Sequence, residues 1–257
     1  FKALKCYHNR GGRNLQSSKF ERYERYEQLS EKTLENLTFS KNNWINFLGT
    51  ASKMYKYSFD EQILIHAQRP DTKACASFDF WTADKKMNRH VKRGSKGIAL
   101  LNHETKKLYY VYAVEDTENR TDGKSKNPED YIWKMSLENE SDVKNMINQN
   151  YGISSENIIK SIVLMSNAEV RQQISKYSAE FEKAFEKFSR NDIPKSEMIQ
   201  VFWETVSESV AYMTLERCGY NPKSIIKENA FRHLDKFDLN FSVLIGKCTT
   251  DIAKTSI

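Results

Sequence analysis

The sequence predicts an α+β fold in which a small antiparallel sheet is packed by helices and followed by an all-α helical domain. Before residue 118, helical hydrophobic patterns give way to short tyrosine- and valine-rich runs separated by turns, which is typical of antiparallel strands. Beyond residue 131, nearly all of the hydrophobic spacing is helical. The predicted organisation is an N-terminal arm and helix (1–38), an α+β domain (39–118), a linker (119–130) and a helical domain (131–257).

Length and composition limit the class of protein. The chain has 257 residues, of which 39% are hydrophobic and 12% aromatic, enough for one or two packed domains and too aromatic for disorder. No window approaches about 18 consecutive apolar residues, so we expect no transmembrane helix and no membrane partner. The four cysteines are too widely spaced for a metal knuckle and too few for a disulfide scaffold, which favours reduced thiols in a cytoplasmic protein.

The first helices are predicted from their apolar spacing. A polar arm covers residues 1–19, and a loose helical pattern follows in Phe20, Tyr23, Tyr26, Leu34 and Leu37. A more regular helical face then contains Trp44, Phe47, Leu48, Ala51, Met54 and Tyr55. Ser58 and Glu61 form a capping box that begins the next helix, and Pro70 ends it. A short helix is expected around residues 78–81.

The next segment has the character of antiparallel strands. A strand at 90–93 leads into a glycine-bearing turn at 94–97, and a second strand follows at 98–101. A polar turn over 102–106 precedes a third strand, 108–114, which is rich in tyrosine and valine. The charged stretch after it contains a glycine and a proline, and we therefore place the linker there.

The second half of the chain is predicted to be a helical bundle. Apolar side chains step by three or four residues through Val170, Ile174, Tyr177, Phe181, Phe185 and Phe188. Pro194 begins a helix that runs to Arg217, and Gly219 follows as the residue that ends it. A last helix is expected from about Leu239 to Ile257.

Basic side chains are concentrated in the first half of the chain. Residues 1–113 hold 21 basic and 11 acidic side chains, whereas residues 114–257 hold 19 basic and 23 acidic. Residues 83–107 alone hold eight basic and two acidic side chains, a net charge equal to the +6 of the whole chain. This asymmetry favours an anionic partner for the N-terminal half, with a solvated lysine-rich surface as the alternative.

Aromatic residues lie next to this basic window, and single-stranded nucleic acid is bound by that combination. We expect cations to neutralise phosphates, aromatic rings to stack on bases, and glycines to let the backbone come close to the strand. Burial in the core is the alternative for each aromatic residue. The candidates are Arg69, Arg89, Lys92, Arg93 and Lys96 for phosphates, Tyr57 and Trp81 for bases, and Gly94 and Gly97 for the close approach.

Catalytic motifs are mostly missing from the sequence. The phosphate-loop, dinucleotide-binding and HExxH patterns do not occur, so we expect no enzyme activity, no cofactor and no metal. Asp71, Glu104 and Lys106 fit a loose form of a Mg²⁺-dependent nuclease signature, which is short enough to occur by chance. The carboxylates at 115–118 could gather a cation, although solvation is the simpler interpretation.

Spaced elements between residues 44 and 98 resemble a known family. The matching segments are 44–65, 66–71, 78–81 and 89–98. Within them, the most specific elements are Tyr57-Ser58, Gln62, Gln68-Arg69-Pro70, Trp81, Val91-Lys92-Arg93-Gly94 and Lys96-Gly97. This pattern resembles the N-terminal domain of ArdC-type antirestriction proteins, which binds single-stranded DNA. Residues 206–219 and 237–238 resemble the helical part that follows this domain in long proteins of conjugative elements.

The resemblance implies a non-catalytic module that binds single-stranded DNA within a protein of a conjugative plasmid or transposon. It also implies downstream helicase or DNA-methylase domains, or conjugation proteins, as partners. Two departures limit it: the HExxH domain of ArdC proteins is missing, and Glu61 stands where the family commonly has Asn. We expect Glu61 to close the cap at Ser58. A protein-interaction adaptor, or an antirestriction factor that acts on a protein partner, is the alternative function.

Overall fold

The computed structural model describes residues 10–131, 135–188, 193–226 and 230–256, with side chains from residue 18 onward. The helices are α1 (Arg10–Phe39), α2 (Lys41–Lys53), α3 (Phe59–Gln68), α4 (Phe78–Thr82), α5 (Leu137–Tyr151), α6 (Ile158–Gln173), α7 (Ser178–Glu186), α8 (Lys195–Arg217) and α9 (Leu239–Ser256). The strands are β1 (Cys75–Ser77), β2 (Arg89–Val91), β3 (Ile98–Asn102), β4 (Lys107–Ala113) and β5 (Thr117–Asn119).

Two small antiparallel sheets lie in the first half of the chain. In the three-stranded sheet the strand order is β1-β4-β3, with Ile98 opposite Val111 and Leu101 opposite Leu108. The second sheet pairs β2 with β5. With the helices that pack around them, these sheets confirm the predicted α+β class.

The connection between β2 and β3 differs from the predicted hairpin. Because β2 pairs with β5 and β3 pairs with β4, residues 94–97 link two sheets instead of two paired strands. The predicted linker also departs from expectation, since it begins on β5 and then returns to the α+β region. There the Lys126 N–H donates to the Met87 carbonyl at 2.9 Å, and the Ser125 hydroxyl donates to the Asn88 carbonyl at 2.5 Å.

One hydrophobic core contains side chains from both predicted domains. Helices α2 and α3 bury their apolar faces in the same cluster as α7, α8 and α9. The Trp44 Nε1–H donates to the Ser209 hydroxyl at 3.0 Å, and the Thr250 hydroxyl donates to Oε1 of Gln62 at 3.0 Å. Both bonds are buried, and because buried polar groups need partners, they fix how the two halves of the chain meet.

A second hydrophobic cluster lies between the three-stranded sheet and helices α1 and α3. Ile98 and Val111 occupy one face of the sheet and share this cluster with Leu64 of α3. Alternate residues of a strand point to opposite faces, so the burial of Val111 turns Tyr110 and Tyr112 to the other face. The register of β4 therefore decides which aromatic side chains are presented to solvent.

The helix ends in the second half follow the predicted signals. Helix α8 begins directly after Pro194, and Gly219, with a φ of +86°, follows its last turn. The residues predicted to be helical between 170 and 188 fall into two α-helices, because a 3₁₀ turn at Ile174–Tyr177 separates α6 from α7. The end of the last predicted helix, Ile257, and the first nine residues of the predicted arm lie outside the described residues. Over the described ranges, no helix is long and apolar enough to cross a membrane.

Helix α3 begins at the predicted capping box. The Ser58 hydroxyl oxygen accepts the Glu61 N–H at 3.4 Å, and the Glu61 carboxylate accepts the Ser58 N–H at 2.6 Å. These contacts confirm the expectation that Glu61 closes the cap. The second oxygen of the same carboxylate accepts a hydrogen bond from the hydroxyl of Tyr109, so Glu61 also ties α3 to β4.

Replacing Ser58 by alanine is expected to lower the free energy of unfolding by about 1 kcal/mol, because an N-terminal N–H of α3 loses its acceptor. For a chain of this size the loss corresponds to a decrease in Tm of roughly 2–4 °C, measurable by circular dichroism. Glu61→Gln is the control, since glutamine can also close the box and is expected to cost less. An unchanged Tm for Ser58→Ala would contradict the stabilising role of this cap.

Candidate nucleic-acid interface

The glycine-bearing segment between β2 and β3 forms a tight turn. The Ser95 N–H donates to the Lys92 carbonyl at 3.1 Å, and Gly94, the third residue of the turn, has a φ of +89°. Side chains other than glycine are strained at this φ, which explains the glycine. Arg93 therefore stands at the exposed tip of the turn.

Uncompensated cations project from this turn. Arg93 and Lys96 are exposed, and neither makes a hydrogen bond or an ion pair with another described residue. Lys92 is also exposed, and its Nζ donates to the backbone carbonyl of Glu115 at 2.8 Å, which leaves its charge without an acidic partner. The turn thus presents positive charge in a form that a phosphate can neutralise.

The two other predicted phosphate contacts have structural partners instead. The guanidinium of Arg89 donates to Thr117 Oγ1 at 2.8 Å and also to the side chain of Asn119, so it holds β2 against β5. Partial burial lowers the pKa of Arg89. Arg69 pairs with Asp116 at 3.2 Å, and this pairing compensates its charge. Neither guanidinium is free in this structure.

The two side chains predicted to stack on bases, Trp81 and Tyr57, are instead packed and hydrogen-bonded within the α+β region. Trp81 is only 2% exposed, and its Nε1–H donates to the Tyr112 carbonyl at 2.9 Å, so neither face of the ring is open to a base. Tyr57 packs against the sheet cluster, and its hydroxyl donates to the Cys75 carbonyl at 2.9 Å. Burial raises the pKa of Tyr57 well above its usual range. Trp81 stabilises the α+β region from inside, and Tyr57 is half-buried at the edge of the sheet cluster.

Other aromatic residues form an open surface, which we call the aromatic face; it consists of Phe78, Tyr110 and Tyr112. The rings of Phe78 and Tyr112 meet edge to face, with 5.9 Å between their centroids. Phe78 is 50% exposed and Tyr110 is 37% exposed, so both offer ring surface to a ligand. Arg22 of α1 donates to the Tyr110 hydroxyl at 2.9 Å and adds a cation at the edge of this face.

Gly97 joins the aromatic face to the basic turn. A Cβ at this position would lie 3.1 Å from Cβ of Tyr110 and 3.3 Å from Cζ of Tyr112, closer than side chains normally pack. Gly97 was predicted to let the backbone approach a nucleic-acid strand. In the structure, the groups that approach it closely are Tyr110 and Tyr112. Since the exposed Lys96 is the neighbouring residue, the basic turn runs directly into the position that packs on the aromatic face.

Tyr110 and Tyr112 are the site residues that reasoning from the sequence missed. Their spacing of two residues within a strand was the signal that could have found them, because it places both rings on one face. Phe78 is one of the aromatic residues that lie next to the basic window in the sequence, but its contact with Tyr112 depends on the pairing of β1 with β4. The aromatic face is therefore a product of strand register.

The residues of the nuclease signature do not form a metal site. Lys106 lies in the hairpin turn and pairs with Glu27 of α1 at 3.6 Å, whereas Asp71 borders a separate cleft beside His66. Among the carboxylates at 115–118, Glu115 accepts hydrogen bonds from Thr72 and from the Lys73 N–H. Within the described ranges, no group of three or more His, Cys, Asp or Glu side chains could hold a metal ion.

Similarity to known proteins does not identify this surface. No protein-family model matches the chain, and no curated protein or solved structure matches it. The resemblance to ArdC-type N-terminal domains therefore stays a prediction from the residues. Function is inferred from the chemistry of the turn and the aromatic face.

Proposed function

We propose that this chain is a non-catalytic module that binds single-stranded DNA at the basic turn and the aromatic face. The observation that carries the proposal is the junction at Gly97, which packs closely against Tyr110 and Tyr112 and directly follows Lys96 of the exposed basic turn. Binding of single strands combines phosphate neutralisation with stacking of bases on aromatic rings. Both requirements are met on one surface.

The preference for a single strand follows from the exposed rings. In a duplex the bases are stacked inside the helix, so an aromatic ring on a protein surface cannot reach a base face without unstacking it. Phe78 packs on Tyr112, and Tyr110 lies beside the guanidinium of Arg22, so both exposed rings offer surface on which an unpaired strand can lay its bases. A duplex can contact only the cations of this surface, which gives weaker and less selective binding.

DNA as the natural strand, and a mobile genetic element as the setting, are supported by the resemblance to ArdC-type domains. The same resemblance supports a cytoplasmic location and cooperation with helicase or DNA-methylase domains further along the polypeptide. The surface chemistry supports a strand of phosphates and unpaired bases. A strand-binding module without catalytic residues fits a protein whose reactions are performed by other domains.

Replacing both Arg93 and Lys96 by alanine is expected to weaken binding of a 20-nucleotide single strand and to make it less sensitive to salt. Each lost phosphate contact reduces the slope of log K against log[salt] by roughly 0.7, so the double variant should lose about 1.4 units of slope. Fluorescence anisotropy of a labelled oligonucleotide at several salt concentrations measures this change.

The matched control removes the same charge from a different element. Lys183 and Lys187 are exposed on and just after α7, in the helical half, and Lys183→Ala/Lys187→Ala lowers the net charge equally. The control is expected to keep the wild-type slope, because these lysines do not adjoin the aromatic face. Equal effects from the two double variants would contradict a localised site. Absence of binding to single and double strands at low salt would reject the function and favour the protein-interaction adaptor.

A further inference from the structure

A cleft of about 1000 Å³ opens between α1, α2 and the end of α8, and the end of α3 closes one side. Its lining shares no residue with the turn or the aromatic face. Apart from Ile45, the face of α2 that lines the cleft is polar or glycine, whereas the opposite face carries Trp44, Phe47 and Leu48 into the core. The cleft is thus an open and mainly polar recess between helices.

We propose that this cleft binds a nucleobase, through hydrogen bonds from its polar lining and close contact with the backbone of α2. Three independent features support the proposal: an open glycine, a histidine whose free nitrogen accepts hydrogen bonds, and unpartnered amide side chains. The proposal goes beyond strand binding at the aromatic face and does not depend on it, because free nucleosides can test it without any strand.

Gly49 lies in the middle of α2 and lines the cleft. A Cβ at this position would meet no atom within 4 Å, so packing inside the protein does not require a glycine here. Glycine destabilises a helix interior relative to alanine, and it is used where a ligand approaches the backbone closely. The missing side chain leaves a flat stretch of helix against which a planar ring can lie.

His66 offers a hydrogen-bond acceptor to the cleft. We assign the Thr50 hydroxyl proton to the Pro70 carbonyl at 2.9 Å, and with this assignment the Thr50 oxygen accepts the Nδ1–H of His66 at 2.8 Å. A neutral ring held in this tautomer leaves Nε2 as an acceptor, and no described residue donates to it. Burial lowers the pKa of His66, against the opposing charge of Asp71, which favours the neutral ring near pH 7.

Amide groups and balanced charge complete the lining. Asn36 and Asn46 are exposed, their side chains make no hydrogen bond with another described residue, and each is open to a ligand with both donors and an acceptor. The edges of nucleobases present the same mixture of donors and acceptors. The charged lining residues are Lys53, Lys223, Asp71 and Glu216. Two cations and two acids give no net charge, which suits a neutral heterocycle better than a phosphate group.

The test is a titration of the full chain with adenosine, cytidine, uridine and thymidine, followed in ¹H–¹⁵N correlation spectra. The Gly49 amide signal is identified by its disappearance in Gly49→Ala. At least one nucleoside is expected to shift this signal saturably, whereas ribose and inorganic phosphate are expected to leave it unchanged. Equal shifts with ribose, or no saturable shift with any nucleoside, would overturn the proposal.

Gly49→Ala separates ligand binding from folding because its two expected effects have opposite directions. The new methyl group occupies the space of the ring, so nucleoside binding is expected to weaken about tenfold. The same variant is expected to raise Tm by roughly 1–4 °C, because alanine favours the helix. Asn42→Ala, on α2 but outside the cleft lining, also improves helix propensity and is expected to bind normally. Unchanged binding by Gly49→Ala would contradict the proposed contact.

A second titration identifies the source of the base. A single-stranded DNA 12-mer that carries the base of the nucleoside bound in the first titration is compared with an abasic strand of the same length, while the amide signals of Gly49 and Gly97 are followed separately. A Gly49 shift with the 12-mer alone assigns the cleft to a base of the bound strand. A Gly97 shift without a Gly49 shift assigns the cleft to free nucleosides. Nucleoside binding in the Arg93→Ala/Lys96→Ala variant is expected to equal the wild type, so failure of strand binding and failure of the cleft are distinguishable.

Discussion

Replacing both Phe78 and Tyr110 by alanine is expected to weaken binding of a single-stranded 20-mer about a hundredfold. Base–aromatic stacking contributes roughly 1–3 kcal/mol per base, and two lost platforms at about 1.4 kcal/mol each give that factor. These are the two most exposed rings of the aromatic face, so their removal is expected to cost less folding stability than removal of a fully buried ring such as Trp81. Anisotropy titrations at one low salt concentration measure the loss directly.

Phe39→Ala provides a matched control for this double variant. Phe39 is an aromatic side chain that is 89% exposed at the end of α1, and it lies about 26 Å along the helix axis from Arg22, the α1 residue at the aromatic face. Removing it is expected to leave the dissociation constant unchanged. A double variant at Phe78 and Tyr110 that binds within twofold of wild type would show that bases do not stack on these rings.

A duplex of the same length distinguishes stacking from charge attraction. Its bases are not open to the aromatic face, so Phe78→Ala/Tyr110→Ala is expected to leave duplex affinity nearly unchanged. Arg93→Ala/Lys96→Ala is expected to weaken duplex and single strand alike, because phosphates are present in both. The two double variants therefore probe the two halves of the surface separately.

Local signals explain why the helices could be predicted from the sequence. The apolar spacing of α2, the capping box at Ser58 and the pair Pro194 and Gly219 each act within a few residues, and each appears as predicted. Strand partners are set at long range. The sequence around β2 contains nothing that selects β5 over β3 as its partner, so the turn at 94–97 was interpreted as a hairpin.

The shared core could not be predicted for a related reason. The apolar face of α2 indicates that Trp44 is buried, but it does not say against which element. Only the fold shows that Trp44 donates to Ser209 of α8, far along the chain, and that Gln62 bonds to Thr250 of α9. A charge-rich stretch around residue 120 suggested a boundary, yet the hydrophobic contacts cross it.

Three of the five predicted cations are exposed at the turn, whereas Tyr110 and Tyr112 of the candidate site were missed. Lys92, Arg93 and Lys96 are exposed at the turn as expected, because a glycine turn places its neighbours at the surface. The residue type alone does not show whether an aromatic side chain packs in the core or is exposed for stacking. Only its burial in the folded structure separates these two roles. Trp81 is buried beneath the strand that carries Tyr112, and Tyr112 belongs to the open surface.

Replacing Trp81 by alanine is expected to lower the free energy of unfolding by roughly 3–5 kcal/mol, because it leaves a large cavity in the α+β region. The ring is 2% exposed, and its Nε1–H bond to the Tyr112 carbonyl at 2.9 Å is lost together with its packing. Denaturant unfolding followed by circular dichroism measures the change. A ring that served as an exposed platform would instead give an effect within about 0.5 kcal/mol, which is the outcome that would restore its predicted stacking role.

Phe80→Ala is the matched control for Trp81→Ala. Phe80 is the preceding residue, meets the Trp81 ring edge to face at 5.6 Å, and is 39% exposed, so its removal is expected to cost much less stability.

Trp81→Phe refills most of the cavity and keeps the protein folded, which allows strand binding to be measured. Because Trp81 is buried and offers no ring surface to a nucleic-acid strand, Trp81→Phe is expected to bind single-stranded DNA within about twofold of wild type. Loss of a stacking contact, at roughly 1–3 kcal/mol, would weaken binding more than that. A larger loss of affinity in this folded variant would mean that the ring itself contacts DNA.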